Sequence, residues 1–65
     1  MEPHQQRVVD EKAELDMRRS KLAAFFYSDT YPQVPPDERA LLEKQFRVMT
    51  QYSDILGERI AAFNL

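Results

Sequence analysis

Cationic side chains in the first half of the chain are the first candidates for chemistry. Arg18, Arg19 and Lys21 lie within four residues of one another. Arg18 follows Leu15 by three residues and precedes Leu22 by four, so on a helix its guanidinium lies beside an apolar stripe. A cation held there requires an anion, either a carboxylate of another subunit or the phosphate of a bound ligand. The candidate carboxylates are Glu43 and Glu58.

Aromatic and hydroxyl side chains follow this cationic group. Residues 25–27 read Phe-Phe-Tyr, and Ser28, Thr30 and Tyr31 come directly after them. Bases of nucleotides stack on aromatic faces. The alternative is that a phenylalanine belongs to the core and that Tyr27 and Tyr31 fold over its end, because aromatic residues at helical spacing usually pack inside.

His4 and Arg7 form a further pair near the amino end, one helical turn apart. Together they could supply a stacking face and a positive charge, or both could simply face the solvent. The carboxylates of this region are interpreted as surface ion pairs with neighbouring basic side chains. These carboxylates belong to Asp10, Glu11 and Glu14.

Catalytic and metal-binding patterns are missing from the sequence. There is no glycine-rich phosphate loop, no His-Glu-x-x-His motif and no connected Ser/His/Asp set. The chain has no cysteine, and its single histidine cannot form a zinc site alone. We therefore predict a protein that is not an enzyme and that holds no metal or cofactor.

Length and charge limit the remaining classes of function. A chain of 65 residues makes one domain, 1–65, whose core is marginal without disulfides, metal or association. The net charge of -2 and the pI near 5.2 argue against a general DNA-binding protein, which needs a clustered positive surface. No stretch is apolar enough to span a bilayer, and no signal-peptide pattern is present, so a soluble cytoplasmic protein is expected.

One break divides the chain into two helices. Residues 28–36 contain three prolines and several short polar side chains, which oppose a continuous helix. Proline suits the first turn of a helix, and it occurs at positions 3 and 36. The sequence predicts a helix at about 3–27, a proline-rich loop at about 28–35 and a helix at about 36–63. The predicted fold is all-α, an antiparallel two-helix hairpin.

The second helix has more apolar surface than the first can cover. One track comprises Leu42, Met49, Leu56 and Phe63, and the other comprises Leu41, Val48 and Ile55, with Tyr52 beside them. The first helix offers only a narrow stripe, so the second track is expected to stay uncovered in a monomer. We predict that it is the interface of a homo-oligomer of two or more chains. Gly57 interrupts this helix, which either a close helix crossing or simple tolerance would explain.

A resemblance to a known group of proteins covers nearly the whole chain. The residues that carry it are Arg7-Val8-Val9-x-Glu11, Glu14-Leu15, Lys21-Leu22-x-x-Phe25, Ser28, Tyr31, Leu41-Leu42-x-x-Gln45, Met49, Tyr52 and Leu56-x-x-Arg59-Ile60. This order resembles small helical-hairpin proteins encoded by tailed phages and crAss-like phages. That group is in turn similar to the anti-CBASS sponge proteins of phages, which are compact helical oligomers.

The resemblance implies a function. Sponge proteins sequester cyclic di- and trinucleotide immune signals without cleaving them, in pockets between protomers, in the cytoplasm of the infected bacterial host. The net charge and the hydropathy pattern, for their part, predict no role for DNA or a membrane. The side chains chemically suited to hold such a ligand are His4, Arg7, Arg18, Arg19, Lys21, Tyr27 and Thr30.

The same sequence also allows a function without a nucleotide. A small phage protein could lay the uncovered face of its second helix on a host protein and so inhibit or redirect it. That alternative predicts a monomer or dimer that ignores nucleotides.

Overall fold

The computed structural model describes residues 1–63, which form two α-helices joined by a short connection. Helix α1 comprises Pro3–Phe26 and helix α2 comprises Pro36–Ala62, with one turn of 3-10 helix at Tyr31–Gln33 between them. No strand occurs within these 63 residues. The predicted all-α, two-helix class is therefore confirmed. Residues 64 and 65, which end the predicted domain, lie outside the described part.

Local hydrogen bonds define both ends of α1. Pro3 occupies the first helical position, where its missing N–H leaves no donor unpaired. The side-chain oxygen of Gln5 accepts a hydrogen bond from the backbone N–H of Glu2 at 2.9 Å, one half of a capping box. At the other end the Ser28 hydroxyl donates to the Phe25 carbonyl at 2.7 Å. This hydroxyl takes up one of the carbonyls that the last helical turn leaves free.

Helix α2 begins in the same way, with Pro36 at its first position. Asp37 and Glu38 lie in the first turn and Arg59 lies in the last. Carboxylates near the amino end and a cation near the carboxyl end both complement the helix dipole. These charges therefore stabilise α2 and also keep it solvated.

The helices pack side by side and antiparallel. Lys12 of α1 contacts Ser53 of α2, whereas Phe26, at the end of α1, contacts Phe46, nearer the start of α2. The result is a rod of about 47 × 15 × 14 Å. Within the described residues, Val8 and Leu56 are the only apolar side chains that are buried. The hairpin has a line of half-buried contacts along its seam rather than a thick core.

Candidate functional site

A polar cluster crosses the middle of the seam between the helices. The Lys12 ammonium donates to the Asp16 carboxylate at 2.8 Å and to the Ser53 hydroxyl at 2.9 Å. The Ser53 hydroxyl in turn donates to the other Asp16 oxygen at 2.5 Å. We call these three residues the seam cluster. It closes a ring of hydrogen bonds that links the two helices.

Burial and charge explain why the seam cluster is stable. Ser53 is only 2% exposed, so its hydroxyl needs partners inside the protein, and the seam cluster supplies them. The hydrogen bond from Lys12 lowers the pKa of Asp16 most, and that from Ser53 lowers it further. Because this hydroxyl is enclosed, it is not placed to attack a substrate. The seam cluster is a structural joint between the helices.

Arg19 extends the seam cluster toward the loop. Its guanidinium lies 3.7 Å from the Asp16 carboxylate and donates to the Thr50 hydroxyl of α2 at 3.3 Å. Arg18, by contrast, is about 70% exposed and pairs with Glu14 of its own helix at 2.5 Å. Arg19, rather than Arg18, is therefore the guanidinium that contacts α2. The ion pair between Arg18 and Glu14 lies at the surface, where such pairs contribute little to stability and exchange readily.

Aromatic rings close the loop end of the hairpin. The Tyr31 ring packs edge-on against Phe25 and Phe26, with ring centroids 5.7 and 5.1 Å apart. Phe26 also packs against Phe46 of α2 at 5.6 Å. Desolvation and the nearby Glu43, which accepts a hydrogen bond from the Tyr31 hydroxyl at 3.3 Å, raise the pKa of Tyr31.

Only one of the two tyrosines expected over this end covers it. Tyr31 packs there, but Tyr27 is 91% exposed. The interpretation of Tyr27 as part of a hydrophobic plug is therefore wrong. Tyr27 follows the last residue of α1, and its ring points away from the packed aromatic group into solvent.

The remaining side chains chosen from the sequence lie apart from one another. His4, Arg7 and Lys21 are exposed on α1, and Thr30 is exposed in the connection. His4 and Lys21 are separated by 17 residues of helix, or about 25 Å at about 1.5 Å per residue. A single protomer thus does not bring the seven predicted ligand-binding residues into one site.

The second apolar track of α2 is uncovered. Leu41, Val48, Tyr52 and Ile55 are each between 41% and 59% exposed. We call these four residues the α2 strip. The Tyr52 hydroxyl donates to the Glu11 carboxylate of α1, which raises the pKa of Tyr52. The strip therefore runs along α2 beside α1, and its predicted exposure is confirmed.

Gly57 faces α1 without allowing a close approach of the two backbones. A methyl group added to it would lie 3.4 Å from Cε of Lys12, at ordinary van der Waals distance. No other described atom of α1 comes within 4 Å of that point. Tolerance of glycine, rather than a close helix crossing, is the explanation that this geometry favours.

The seam cluster is the feature that sequence reasoning missed. One signal for it was present, because Ser53 lies three residues before Leu56 and so on the face that packs against α1. A second signal was the spacing of Lys12 and Asp16, which are four residues apart. Neither signal identifies the partner on the opposite helix.

These features define a class of protein: a small α-helical hairpin with cationic side chains along one helix and an uncovered apolar strip on the other. Comparison with known families gives the particular family. The Sequestin family model matches residues 2–62, nearly the whole chain, and the chain belongs to this family. The family name indicates a protein that sequesters a ligand rather than one that converts it.

The other comparisons add no relative. No curated protein and no solved structure matches the chain. Within residues 1–63, no helix is both long and apolar enough to cross a membrane. The same part of the chain has no group of three potential metal-ligating side chains.

Proposed function

We propose that this protein is a phage anti-defence sponge that binds cyclic nucleotide immune signals and holds them without cleaving them. The proposal places it in the cytoplasm of the infected bacterium. The observation that carries it is the match of residues 2–62 to the Sequestin family. The resemblance to phage sponge proteins supplies the class of ligand.

The exposed side chains of α1 and the connection support a nucleotide as the ligand. Arg7, Arg18 and Lys21 are exposed cations that can contact phosphate, and Thr30 offers a hydroxyl. Tyr27 presents a ring that is free to stack on a base. The exposed pair of Arg18 with Glu14 does not prevent this role, because a phosphate can replace the carboxylate at little cost.

The spacing of these groups supports binding sites between protomers. Since His4 and Lys21 lie about 25 Å apart on one helix, a compact ligand cannot contact both within one hairpin. Residues of different copies would have to complete each site. The net charge of -2 also requires cations to converge locally, which basic side chains from several protomers would achieve.

Calorimetric titration tests the proposal. The full-length protein is titrated with a panel of cyclic dinucleotides, cyclic trinucleotides and cyclic ADP-ribose isomers. We expect tight binding of at least one compound, and recovery of that compound intact when the protein is heat-denatured. Absence of heat with every compound would overturn the proposal, as would recovery of a cleaved product.

Matched arginine variants locate the site. Arg7→Ala is expected to weaken binding at least tenfold, because a phosphate loses a charged partner. Arg47→Ala is the control, since Arg47 is exposed on α2 and lies outside the predicted set. Equal affinities of the two variants would remove Arg7 from the site.

A host protein as ligand is the alternative, and the α2 strip is the observation that favours it. An exposed apolar helix face is a common docking surface for proteins. That alternative predicts a chain that gives no heat with any nucleotide, that is a monomer or a dimer in light scattering, and that captures a host protein.

A further inference from the structure

A groove crosses the seam between the seam cluster and the loop end of the hairpin. It is lined by Arg19, Ser20 and Ala23 of α1 and by Phe46 of α2. We call these four residues the Arg19 groove. Its volume is about 270 Å³, slightly below the range of about 300–1,000 Å³ for sites that enclose a whole small-molecule ligand. The groove therefore has room for one part of a ligand, such as a single ring system.

The walls of the Arg19 groove are held in place by the protein itself. The Arg19 guanidinium donates to the Thr50 hydroxyl at 3.3 Å, and that hydroxyl donates to the backbone carbonyl of Phe46 at 3.0 Å. The Phe46 ring packs edge-on against Phe26, with ring centroids 5.6 Å apart. Because these contacts fix both the guanidinium and the ring, a ligand that binds between them orders few side chains.

The charge beside the groove is positive. The Lys12 ammonium lies 2.8 Å and the Arg19 guanidinium 3.7 Å from the carboxylate of Asp16. No other carboxylate in residues 1–63 lies within 4 Å of either cation. Two cations thus share one carboxylate, and one positive charge remains uncompensated. This local charge attracts an anionic ligand although the net charge of the chain is -2.

The contacts of the guanidinium favour a flat ring over a phosphate inside the groove. A phosphate would compete with Asp16, which already lies close to the guanidinium. A flat ring can stack on the guanidinium plane without displacing Asp16 or Thr50. The Ala23 methyl group and the Phe46 ring supply apolar walls for it, and the exposed Ser20 hydroxyl can bond to its polar edge.

The Arg19 groove and the α2 strip lie on opposite flanks of the seam. Thr50 contacts Arg19, whereas Tyr52 contacts Glu11. Two residues of helix separate Thr50 from Tyr52, which is a rotation of about 200° at about 100° per residue. A partner that covers the strip would therefore leave the groove open.

From these observations we infer that the Arg19 groove holds the base of a nucleotide, stacked on the Arg19 guanidinium, and that the uncompensated charge beside it attracts the phosphate. Each hairpin holds one base by itself, and exposed cations of another copy complete the contacts to phosphate. The inference deepens the proposed function by naming where the base lies. It rests on that proposal for the class of ligand, a nucleotide.

Adenosine monophosphate and ribose 5-phosphate test the position of the base, because the second compound lacks it. The methyl signals of the full-length protein are followed by NMR during titration with each compound. We expect adenosine monophosphate to shift the signal of Ala23 saturably and to leave that of the exposed Ala24 in place. Ribose 5-phosphate should not shift Ala23 at the same concentration. An unmoved Ala23 signal with adenosine monophosphate, or equal shifts with both compounds, would overturn the inference.

A matched pair of alanine variants tests the space in the groove. Ala23→Leu fills the groove and should weaken binding of adenosine monophosphate about tenfold, as expected for loss of one stacked base. Ala24→Leu, the same change at the next and exposed position, should leave the affinity unchanged. Circular dichroism verifies that both variants are helical. Equal affinities of the two helical variants would overturn the inference.

Arg19→Lys tests the stacking surface without filling the groove. The variant keeps a positive charge near Asp16 but lacks the guanidinium plane. Binding of adenosine monophosphate should weaken about tenfold in the NMR titration. An unchanged affinity of the helical variant would overturn the stacking of the base on Arg19.

Failure of this inference can be distinguished from failure of the proposed function. Cyclic nucleotides that bind the native protein and Ala23→Leu equally well in calorimetry would support the proposed function and overturn the groove as the site of the base. Shifts of Ala23 with adenosine monophosphate, together with no heat from any cyclic nucleotide, would support the groove and overturn the proposed function.

Discussion

At the scale of single residues, the buried hydroxyl of Ser53 is the contact that ties the two helices together. It accepts a hydrogen bond from Lys12 and donates one to Asp16, so it serves both charges at once. A shift of one helix by a full turn would separate these groups by about 5 Å. The seam cluster therefore favours one register of the hairpin, which the sparse apolar contacts specify only weakly.

Ser53→Ala tests this contact. Loss of the bridging hydroxyl should lower the free energy of unfolding by about 1 kcal/mol, the usual contribution of a hydrogen bond. Ser20→Ala is the matched control, because Ser20 is exposed on α1 and experiences the same change in helix propensity. Urea denaturation followed by circular dichroism measures both variants. Equal stability of the two would contradict the role given to Ser53.

The pH dependence of stability tests the other half of the seam cluster. Lys12 and Ser53 lower the pKa of Asp16 in the folded chain. The resulting stabilisation is complete above the unfolded pKa of about 4 and is lost as the pH falls through the folded pKa. Between pH 7 and pH 2 the native protein should therefore lose more stability than Asp16→Asn. Asp54→Asn, at an exposed position, should behave like the native protein in the same thermal denaturation series.

At the scale of the helices, the sequence predicted what depends on periodicity and missed what depends on a partner. Two helices and the exposed track of α2 followed from prolines and from apolar spacing, and both are confirmed. Lys12 and Asp16 have the same spacing whether they face water or another helix, so the seam cluster could not be predicted. Whether Tyr27 and Tyr31 pack or stay exposed depends on the path of the backbone after α1, which helical spacing does not specify.

Gly57 gives a prediction at this scale. Gly57→Ala should raise the free energy of unfolding by about 0.5–1 kcal/mol, because glycine is costly in a helix and the added methyl group meets only the flexible Lys12 side chain. Ala13→Gly, on the exposed face of α1, should lower the free energy of unfolding by a similar amount. Thermal denaturation compares the two. A lower melting temperature for Gly57→Ala would show that the space beside Lys12 is needed.

At the scale of the whole molecule, the described part of the hairpin buries few apolar side chains completely and leaves several exposed. Val8 and Leu56 are its only buried apolar side chains in residues 1–63, whereas the four residues of the α2 strip stay about half exposed. A rod only about 15 Å thick has no interior that could receive the strip. The proposed self-association would supply the stability that such a thin hairpin lacks on its own.

Val48→Lys should separate the protomers of the proposed homo-oligomer, because it places a charged side chain in the middle of the α2 strip. The mass from light scattering should fall to that of one chain, and nucleotide binding should be lost with it if the sites lie between protomers. Ala61→Lys introduces the same charge at an exposed position outside the strip and should change neither measurement. An unchanged mass for Val48→Lys would show that the interface lies elsewhere.

The scarcity of buried apolar side chains has a consequence for the amount of protein that must be made. If pairing of the strips completes the fold, folding and association form one equilibrium, and the folded fraction rises with the number of copies made. When few copies are made, the chains stay partly unfolded and are susceptible to proteases. The capacity to take up a ligand would then increase more steeply than the amount of protein. Little ligand would be bound until the protein reaches a threshold concentration.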